Sequence, residues 1–281
     1  MRHTKVRAII SPPAMPATPP TITPPSVLVT GGGVRLGAVL CTTFAEAGWH
    51  VLCQYRHSAQ AAQSLCDALT ARNLHATAIE GDLTSDAGRA ELMQRVQALA
   101  GPLNCIVNNA SAFEPDTGAN FDPALARNQL EVNLIAPLDL SRQLADRLAQ
   151  HPDAQGCVIH VLDQKVFNLN PDYFSYTVTK LALERAVALQ AQALAPQVRV
   201  CGVAPGLMFL SGPQTQDNFD RASRVNLLRR PIDPADVART CLFLAQTPSI
   251  TGTTVCVDNG QHLVPLARDV MFAIDNTTAT P

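Results

Sequence analysis

Long apolar runs are missing from this chain of 281 residues. No stretch approaches the roughly 20 consecutive apolar residues that a bilayer-spanning helix needs, so the membrane is not an expected partner. Charge is sparse: 16% of residues are charged and the formal net charge is −2. No long basic run breaks that balance, which argues against nucleic acid and anionic lipid surfaces. The eight cysteines (Cys41, Cys53, Cys66, Cys105, Cys157, Cys201, Cys241, Cys256) form no CxxC pair, and the histidines show no HxxxH spacing. A metal centre is therefore not expected. Thiols scattered through apolar segments read as free groups in a reducing, cytoplasmic compartment rather than as a disulfide frame.

What is present is core-forming material. Hydrophobic residues make up 47% of the chain, enough for one large α/β core, and no second block of composition suggests another domain. Residues 1–25 stand apart, with Pro12, Pro13, Pro16, Pro19, Pro20, Pro24 and Pro25 and no acid. Their run Ala8-Ile9-Ile10 is too short for a signal-peptide core, and the segment reads as an extended tail. The expected organisation is a tail over 1–25, one domain over 26–266 and a C-terminal tail over 267–281.

From Ser26 onward short apolar runs alternate with helical patterns. Strands are expected at 27–29, 51–53, 75–79, 103–107, 157–162, 198–203 and 254–257. Helices are expected at 36–47, 59–71, 87–100, 123–150 and 174–195. Strands this apolar are covered on both faces, and β–α alternation implies right-handed crossovers. The expected fold is α/β: a Rossmann-like, doubly wound parallel sheet of about seven strands with helices on both faces. Ligands in such sheets bind beyond the carboxyl ends of the strands, so function should follow Val29, Cys53, Val107, Leu162 and Val203.

The first of those positions holds Thr30-Gly31-Gly32-Gly33-Val34-Arg35-Leu36-Gly37. Glycines there let backbone N–H groups approach a pyrophosphate, and the helix start adds a favourable dipole. The second holds Gln54-Tyr55-Arg56-His57-Ser58, with no acid between Trp49 and Gln63. An NAD site usually places a carboxylate at that strand end, whereas NADP needs cations and donors for its 2′-phosphate. Arg56 and Ser58, helped by His57, point to NADPH. Asp82-Leu83 after the third strand is placed to meet adenine, or is an ordinary turn.

Tyr176 and Lys180 are one helical turn apart and project from one face. A nearby ammonium favours phenolate, which would draw the tyrosine towards acid chemistry near neutral pH. Together with Thr30 to Gly37, Asn108-Asn109-Ala110, Asn133 and Pro205-Gly206, the pair falls in the order and approximate spacing of the short-chain dehydrogenase/reductase family. The resemblance spans about residues 26–265. It implies that Lys180 holds the nicotinamide ribose, that Asn133 anchors a water linking Lys180 to solvent, and that Asn109, Ala110, Pro205 and Gly206 line the cofactor. A helix asparagine bonding the backbone is the plainer reading of Asn133.

One position departs from the family. Thirteen residues before the tyrosine, where the family keeps serine, stands Asp163. An ionised carboxylate would repel the alkoxide formed from a ketone, so it suits a substrate protonated at nitrogen. Arg35 replaces the middle glycine of the TGxxxGxG loop, and Ser111, followed by Ala112-Phe113, replaces the glycine of NNAG. These departures together resemble the pteridine reductase branch, which includes the dihydromonapterin and alternative dihydrofolate reductases. That resemblance implies a pterin stacked between Phe113 and nicotinamide, with Ser111 and Arg35 contacting pterin and phosphates. Plain loop packing for Phe113 and a surface ion pair for Arg35 are the alternatives.

The expected activity is NADPH-dependent reduction of a dihydropterin or dihydrofolate, with Asp163, Tyr176, Lys180 and Asn133 as the catalytic set. The rivals are a carbonyl or enoyl reductase of the same family, which needs Asp163 protonated, and a non-catalytic NADPH-binding regulator. The segment 207–230 lies where the family keeps its substrate lid. Its Arg221, Arg224, Arg229 and Arg230 could attract a glutamyl tail or could form a solvated face. By resemblance the chain should form a homo-oligomer, dimer or tetramer, through its long helices. Leu181, Leu183, Val187 and Leu189 could serve that contact or the core.

Overall fold

The computed structural model describes residues 24–100, 103–151, 153–212 and 214–276. The proline-rich residues 1–23, Pro213 of the expected lid and the last residues 277–281 lie outside the described set.

Seven strands form one sheet: β1 (Ser26–Val29), β2 (His50–Tyr55), β3 (Ala76–Glu80), β4 (Cys105–Asn108), β5 (Gly156–Val161), β6 (Val198–Pro205) and β7 (Thr254–Val257). Their order is β3-β2-β1-β4-β5-β6-β7, with every pairing parallel. The strand order reverses between β1 and β4, the crevice where such sheets bind ligands.

Side chains alternate across the sheet, as the period of two requires. Val27 and Val29 face one side with Val51, Cys53 and Val107, while Leu28 faces the other with Leu52, Ile106 and Val158. On the first side lie α1 (Arg35–Glu46), α2 (Ala59–Thr70) and α8 (Pro234–Gln246), burying Leu40, Phe44, Cys66 and Val237. Across the sheet, α3 (Asp86–Ala100), α5 (Ala136–Leu148) and α6 (Phe174–Leu194) bury Met93, Leu140, Leu144 and Ala191. Each fully buried aliphatic side chain contributes about 2 kcal/mol of favourable transfer. All eight cysteines are free thiols, seven of them buried.

The single helix expected over 123–150 is interrupted. It divides into α4 (Pro123–Leu130), a π-helical turn (Glu131–Ile135) and α5. Pro137 has no N–H, so the Asn133 carbonyl has no α-helical donor, and the ladder widens at this point. Arg89 of α3 fixes the same corner: fully buried, it reaches Glu131 (2.6 Å), Asp139 (2.9 Å), the Leu83 carbonyl (2.8 Å) and Asp86.

Three helices escape the sequence reading: α7 (Gln216–Ala222), α8 and α9 (Val270–Asn276). For α8 a signal existed, because Asp233 caps Ala235 N–H at 2.9 Å and Pro234 stands at the first helical position. The long α6 uses both sides of the apolar choice left open above. Leu183 and Val187 are core, while Leu189 is 66% exposed.

Candidate active site

The glycine loop is held by its neighbours. Thr30 Oγ1 accepts from the N–H groups of Asn109 (2.9 Å) and Ala110 (3.0 Å), and Asn109 Nδ2 donates back to Thr30 O (2.9 Å). Gln54 supplies the other strut: its Oε1 accepts from Gly31 N–H (2.8 Å) and its Nε2 donates to Gly81 O (2.7 Å). Gly31 needs its positive φ of 61°, and a Cβ on Gly37 would lie 2.0 Å from Gly31 O, so the loop closes onto the helix only with glycine there.

This loop fits a dinucleotide phosphate. The first turn of α1 carries no acid and Val34 provides no side-chain cap, so its N–H groups face outward with the positive end of the helix dipole. Leu36 and Gly37 line the same cavity. Arg35, the residue replacing the family glycine, sits at φ 52° with its guanidinium 5.2 Å from the Phe209 ring centre. It is a lining residue of the cavity.

At the end of β2, Arg56 and His57 are exposed, and Ser58 precedes α2 without capping it. That uncapped, acid-free helix start beside two potential cations suits a 2′-phosphate. Asp82 is less free than expected for a group waiting for adenine. It accepts from Thr84 N–H (3.0 Å) and pairs with Arg56 (3.3 Å). The Thr84 N–H chiefly, with Arg56 and His57, holds its carboxyl below the usual range. Tyr55 is partly buried against the core, and Leu83 is core, its carbonyl taken by Arg89. These residues flank the sheet edge outside the cavity wall.

The structure brings together three of the four side chains expected to be catalytic, Asp163, Tyr176 and Lys180. Tyr176 Oη donates to Asp163 Oδ2 at 2.9 Å, and Asp163 Oδ1 accepts from Lys165 N–H at 2.9 Å. Lys180 Nζ donates to Val161 O at 2.8 Å and lies 5.7 Å from the Tyr176 ring centre. Burial pushes Asp163 upward, towards its neutral acid, against the pull of Lys165 and Tyr176. Burial likewise lowers Lys180 to about 8, with Asp163 restoring part of the loss. The expectation that Lys180 would draw the phenol down is corrected here. Burial first, and the Asp163 charge second, hold Tyr176 well above its ordinary value, so it rests as a neutral donor.

Asn133 is also re-read. Its Oδ1 accepts from Ala112 N–H (2.7 Å) and Ser111 Oγ (3.2 Å), and its Nδ2 donates to Ala112 O (2.8 Å) and Thr179 Oγ1 (3.1 Å). Both amide ends are fully committed to shaping the 111–113 loop. Its side chain is thus left no free donor or acceptor with which to anchor a water.

Phe113 stacks on Tyr173, ring centres 4.2 Å apart, and meets Tyr176 edge-on at 4.6 Å. At 37% exposure it is partly packed and partly open to the cavity. Tyr173 precedes α6 at φ 54°, a left-handed conformation costly for a bulky residue, and offers no side-chain cap. Asp116 supplies the cap from the β4–α4 loop, accepting from Ser175 N–H (2.9 Å) and from the Ser175 hydroxyl. The start of the helix that carries Tyr176 and Lys180 is thereby fixed.

The cavity holds about 700 Å³, within the usual range for small-molecule sites. Asn109, Ala110, Ser111, Pro205 and Gly206, which the family resemblance assigns to the cofactor, all line it. Sequence reasoning missed its far wall. Leu266, Asp269, Val270 and Met271 line the cavity, from a segment that gave no local signal. Arg268 grips Asp172 through Nε and Nη2 at 2.8 Å each, and buried Lys165 donates to Asp269 at 2.8 Å. Arg221 pairs with Asp217, and the exposed Arg224, Arg229 and Arg230 do not belong to the wall.

These features define a nucleotide-dependent oxidoreductase of the Tyr-x-x-x-Lys kind. Residues 33–262 match the family described as enoyl-(acyl carrier protein) reductase, and the chain belongs to this branch of the short-chain dehydrogenases/reductases. More particularly, it is similar to the FolM alternative dihydrofolate reductase 1 of Brucella canis, solved with NADP. The two are 33% identical over 86% of this chain and 95% of that one, with a TM-score of 0.81. The Brucella suis structure, also with NADP, gives 33% identity, 86% and 97% coverage and a TM-score of 0.82. The dihydromonapterin reductase of Enterobacter sp. strain 638 is 27% identical over 84% of this chain and 96% of its own. That of Escherichia coli K12 is 27% identical over 85% and 98%.

Proposed function

We propose that the chain reduces a 7,8-dihydropterin or dihydrofolate with NADPH. The carrying observation is the Asp163 carboxyl bonded to Tyr176 Oη at 2.9 Å, in the cavity that also receives Phe113 and the glycine loop. NADPH supplies the hydride, which reaches C6 of the ring. The residues then have to deliver one proton to the adjacent N5. Asp163, pushed towards its acid form, and Tyr176, a neutral phenol, form a donor pair beside that nitrogen. Lys180 orients the ribose, and Phe113 offers a flat face for the bicycle. The relatives named for dihydromonapterin and dihydrofolate reduction support the same reading.

Replacing Asp163 by serine tests it. Dihydropterin reduction should fall by about 10²- to 10⁴-fold, the usual contribution of a general acid, while NADPH affinity stays within a few-fold. Equal losses in both, or a gain of ketone or enoyl reduction in a wild type inactive on dihydropterins, would overturn the assignment.

We further infer a homo-oligomer, dimer or tetramer, working in the cytoplasm. Leu130, Ile135, Val178 and Leu189 leave apolar surface exposed along α4, the π-turn and α6, which supports such a contact. Light scattering of the purified protein checks it, and a monomer at micromolar concentration would refute it.

A further inference from the structure

One cation in the cavity wall is buried with every donor already used. Lys165 lies two residues beyond Asp163, lines the cavity and is 3% exposed. Its ammonium donates to Asn170 Oδ1 at 3.1 Å, to the Asp172 carbonyl at 3.2 Å and to Asp269 Oδ2 at 2.8 Å. A lysine has three donors, so none remains for a ligand. Taking an ammonium and a carboxylate out of water costs several kcal/mol, and their attraction seldom exceeds that cost, so the pair is weak evidence for a purely stabilising role. Its effect is to be sought in the charge it places beside the reacting groups.

The backbone of the same residue holds Asp163. Lys165 N–H donates to Asp163 Oδ1 at 2.9 Å, which leaves Oδ2 to accept from Tyr176 Oη at 2.9 Å. Burial is the largest influence on Asp163 and raises its pKa. The Lys165 N–H and then the Lys165 ammonium oppose that rise, whereas the Asp269 carboxylate adds to it. From α6, Tyr176 bonds the same carboxyl and Lys180 feels its charge. His160, on β5, is kept neutral because burial lowers it to about 4. Arg35 and Glu114 line the same cavity. Lys165 and Asp269 stand out among these groups, since they are bonded to each other yet act on Asp163 in opposite senses.

We infer that Lys165 is a positioning residue for proton delivery: its N–H orients the Asp163 carboxyl towards Tyr176, and its ammonium, moored to Asp269, keeps that buried carboxyl able to release a proton. The inference rests on the dihydropterin reading above for the reaction it serves. In that reaction NADPH gives hydride to C6 and the Asp163–Tyr176 pair gives one proton to N5. The pair is left with Asp163 as the carboxylate, and a proton from water restores it. A buried carboxyl with no cation nearby holds its proton too tightly to be an efficient acid, and a neighbouring ammonium loosens it.

Lys165→Met and Asp269→Asn break the same ion pair but change the charge near Asp163 in opposite senses. The titration of Asp163 is read in the full chain by infrared spectroscopy, from the carboxylic-acid carbonyl band that Asp163→Asn removes. Its midpoint should rise by about one pH unit in Lys165→Met, which removes a cation, and fall by a similar amount in Asp269→Asn, which removes an anion. The proton donor is the acid form, so the alkaline limb of kcat/KM for 6-methyl-7,8-dihydropterin should move with the midpoint, up in the first variant and down in the second.

An ion pair that only holds the fold together would move both midpoints alike or move neither, and either result overturns the inference. Midpoints that part while both limbs stay at the wild-type pH overturn it as well. If Lys165→Met does not fold, Asp269→Asn decides alone: a lower midpoint supports the inference, and an unchanged or higher one overturns it. A wild type inactive on the dihydropterin refutes the reaction reading, which is a separate result because the infrared midpoints need no substrate.

Discussion

Replacing Lys180 by methionine isolates the cost of keeping a cation inside this fold. The residue is 3% exposed, and burial lowers its pKa from the ordinary 10.5 to about 8, even with Asp163 pulling the other way. Each tenfold step in a proton equilibrium is about 1.4 kcal/mol, so this fall corresponds to about 3 kcal/mol of stability forgone while the group is charged. Below the native value both folded and unfolded chains hold the proton, and the whole penalty is present. Between that value and the ordinary one the unfolded chain binds more protons than the native one, so wild-type stability rises with pH and the penalty disappears. Methionine matches the length of the stem but gives up the bond to Val161 O, worth about 1 kcal/mol. Lys180→Met should therefore be about 2 kcal/mol more stable than the wild type near pH 7, with the gap closing towards pH 10 and activity abolished. Urea unfolding of both proteins across that range measures it, and other groups titrate in both and cancel in the difference. Parallel stability curves, or a variant less stable at every pH, would refute the account of a cation retained for function at the expense of stability.

Two further substitutions probe the frame around the site. Arg35→Gly should relieve a left-handed backbone that costs a non-glycine residue about 1 kcal/mol, raising the melting temperature by a few degrees. The same change should weaken NADPH binding by about tenfold in titration, and an unchanged Kd would remove Arg35 from the cofactor site. Arg89→Leu should cost about 3 kcal/mol in denaturant, because Glu131 and Asp139 lose the cation between them. Burial tends to raise the Asp139 pKa, but bonds from Arg142, Arg89 and Gln143 hold it below the usual range. Its contribution is therefore present at neutral pH and lost as pH falls. The variant's deficit should shrink in acid, and a deficit independent of pH would point to packing alone.

The sheet was legible because its central strands are short apolar runs buried on both faces, a pattern that needs no tertiary knowledge, while the edge strands β3 and β7 are only partly buried. Strand ends moved by one or two residues: the third expected strand, 75–79, is Ala76–Glu80, and the sixth extends through Pro205. The cofactor loop and the Tyr176–Lys180 pair were legible for a related reason, since their chemistry depends on spacing within a single turn or loop. Asp163 was legible as a departure from a family pattern. The rest depends on contacts between residues far apart in the chain. Asp116 caps a helix 59 positions away, and Arg268 finds Asp172 across 96. Neither leaves a local periodicity. Asn133 was recognised as a site residue, but its work of holding the 111–113 loop could not be separated from a water-anchoring role until all four of its bonds were traced.

This division has a physical cause. Delivering hydride from a nucleotide requires a fixed distance between a glycine loop, a ribose-binding lysine and a proton donor, and all three can be set by two short segments of one sheet. Recognising the other reactant requires a wall opposite the nicotinamide, and the crossover topology leaves that side open beyond β5 and β6. Here the wall is assembled from three segments that share no secondary element: the loop bearing Phe113, the stretch before α7 bearing Gln214 and the segment bearing Asp269 and Met271. Tyr173 is where they converge. Its ring stacks on Phe113 on one side, is 6.3 Å from Phe272 in a stacked arrangement, and lies 5.1 Å from the Lys165 ammonium. That cation is tied in turn to Asp269. A strained left-handed backbone at such a point persists because these contacts over-determine it. The same contacts couple the position of the stacking ring to the chain beyond Leu266, so the far wall of the cavity and Tyr176, three residues further on, are set as one unit.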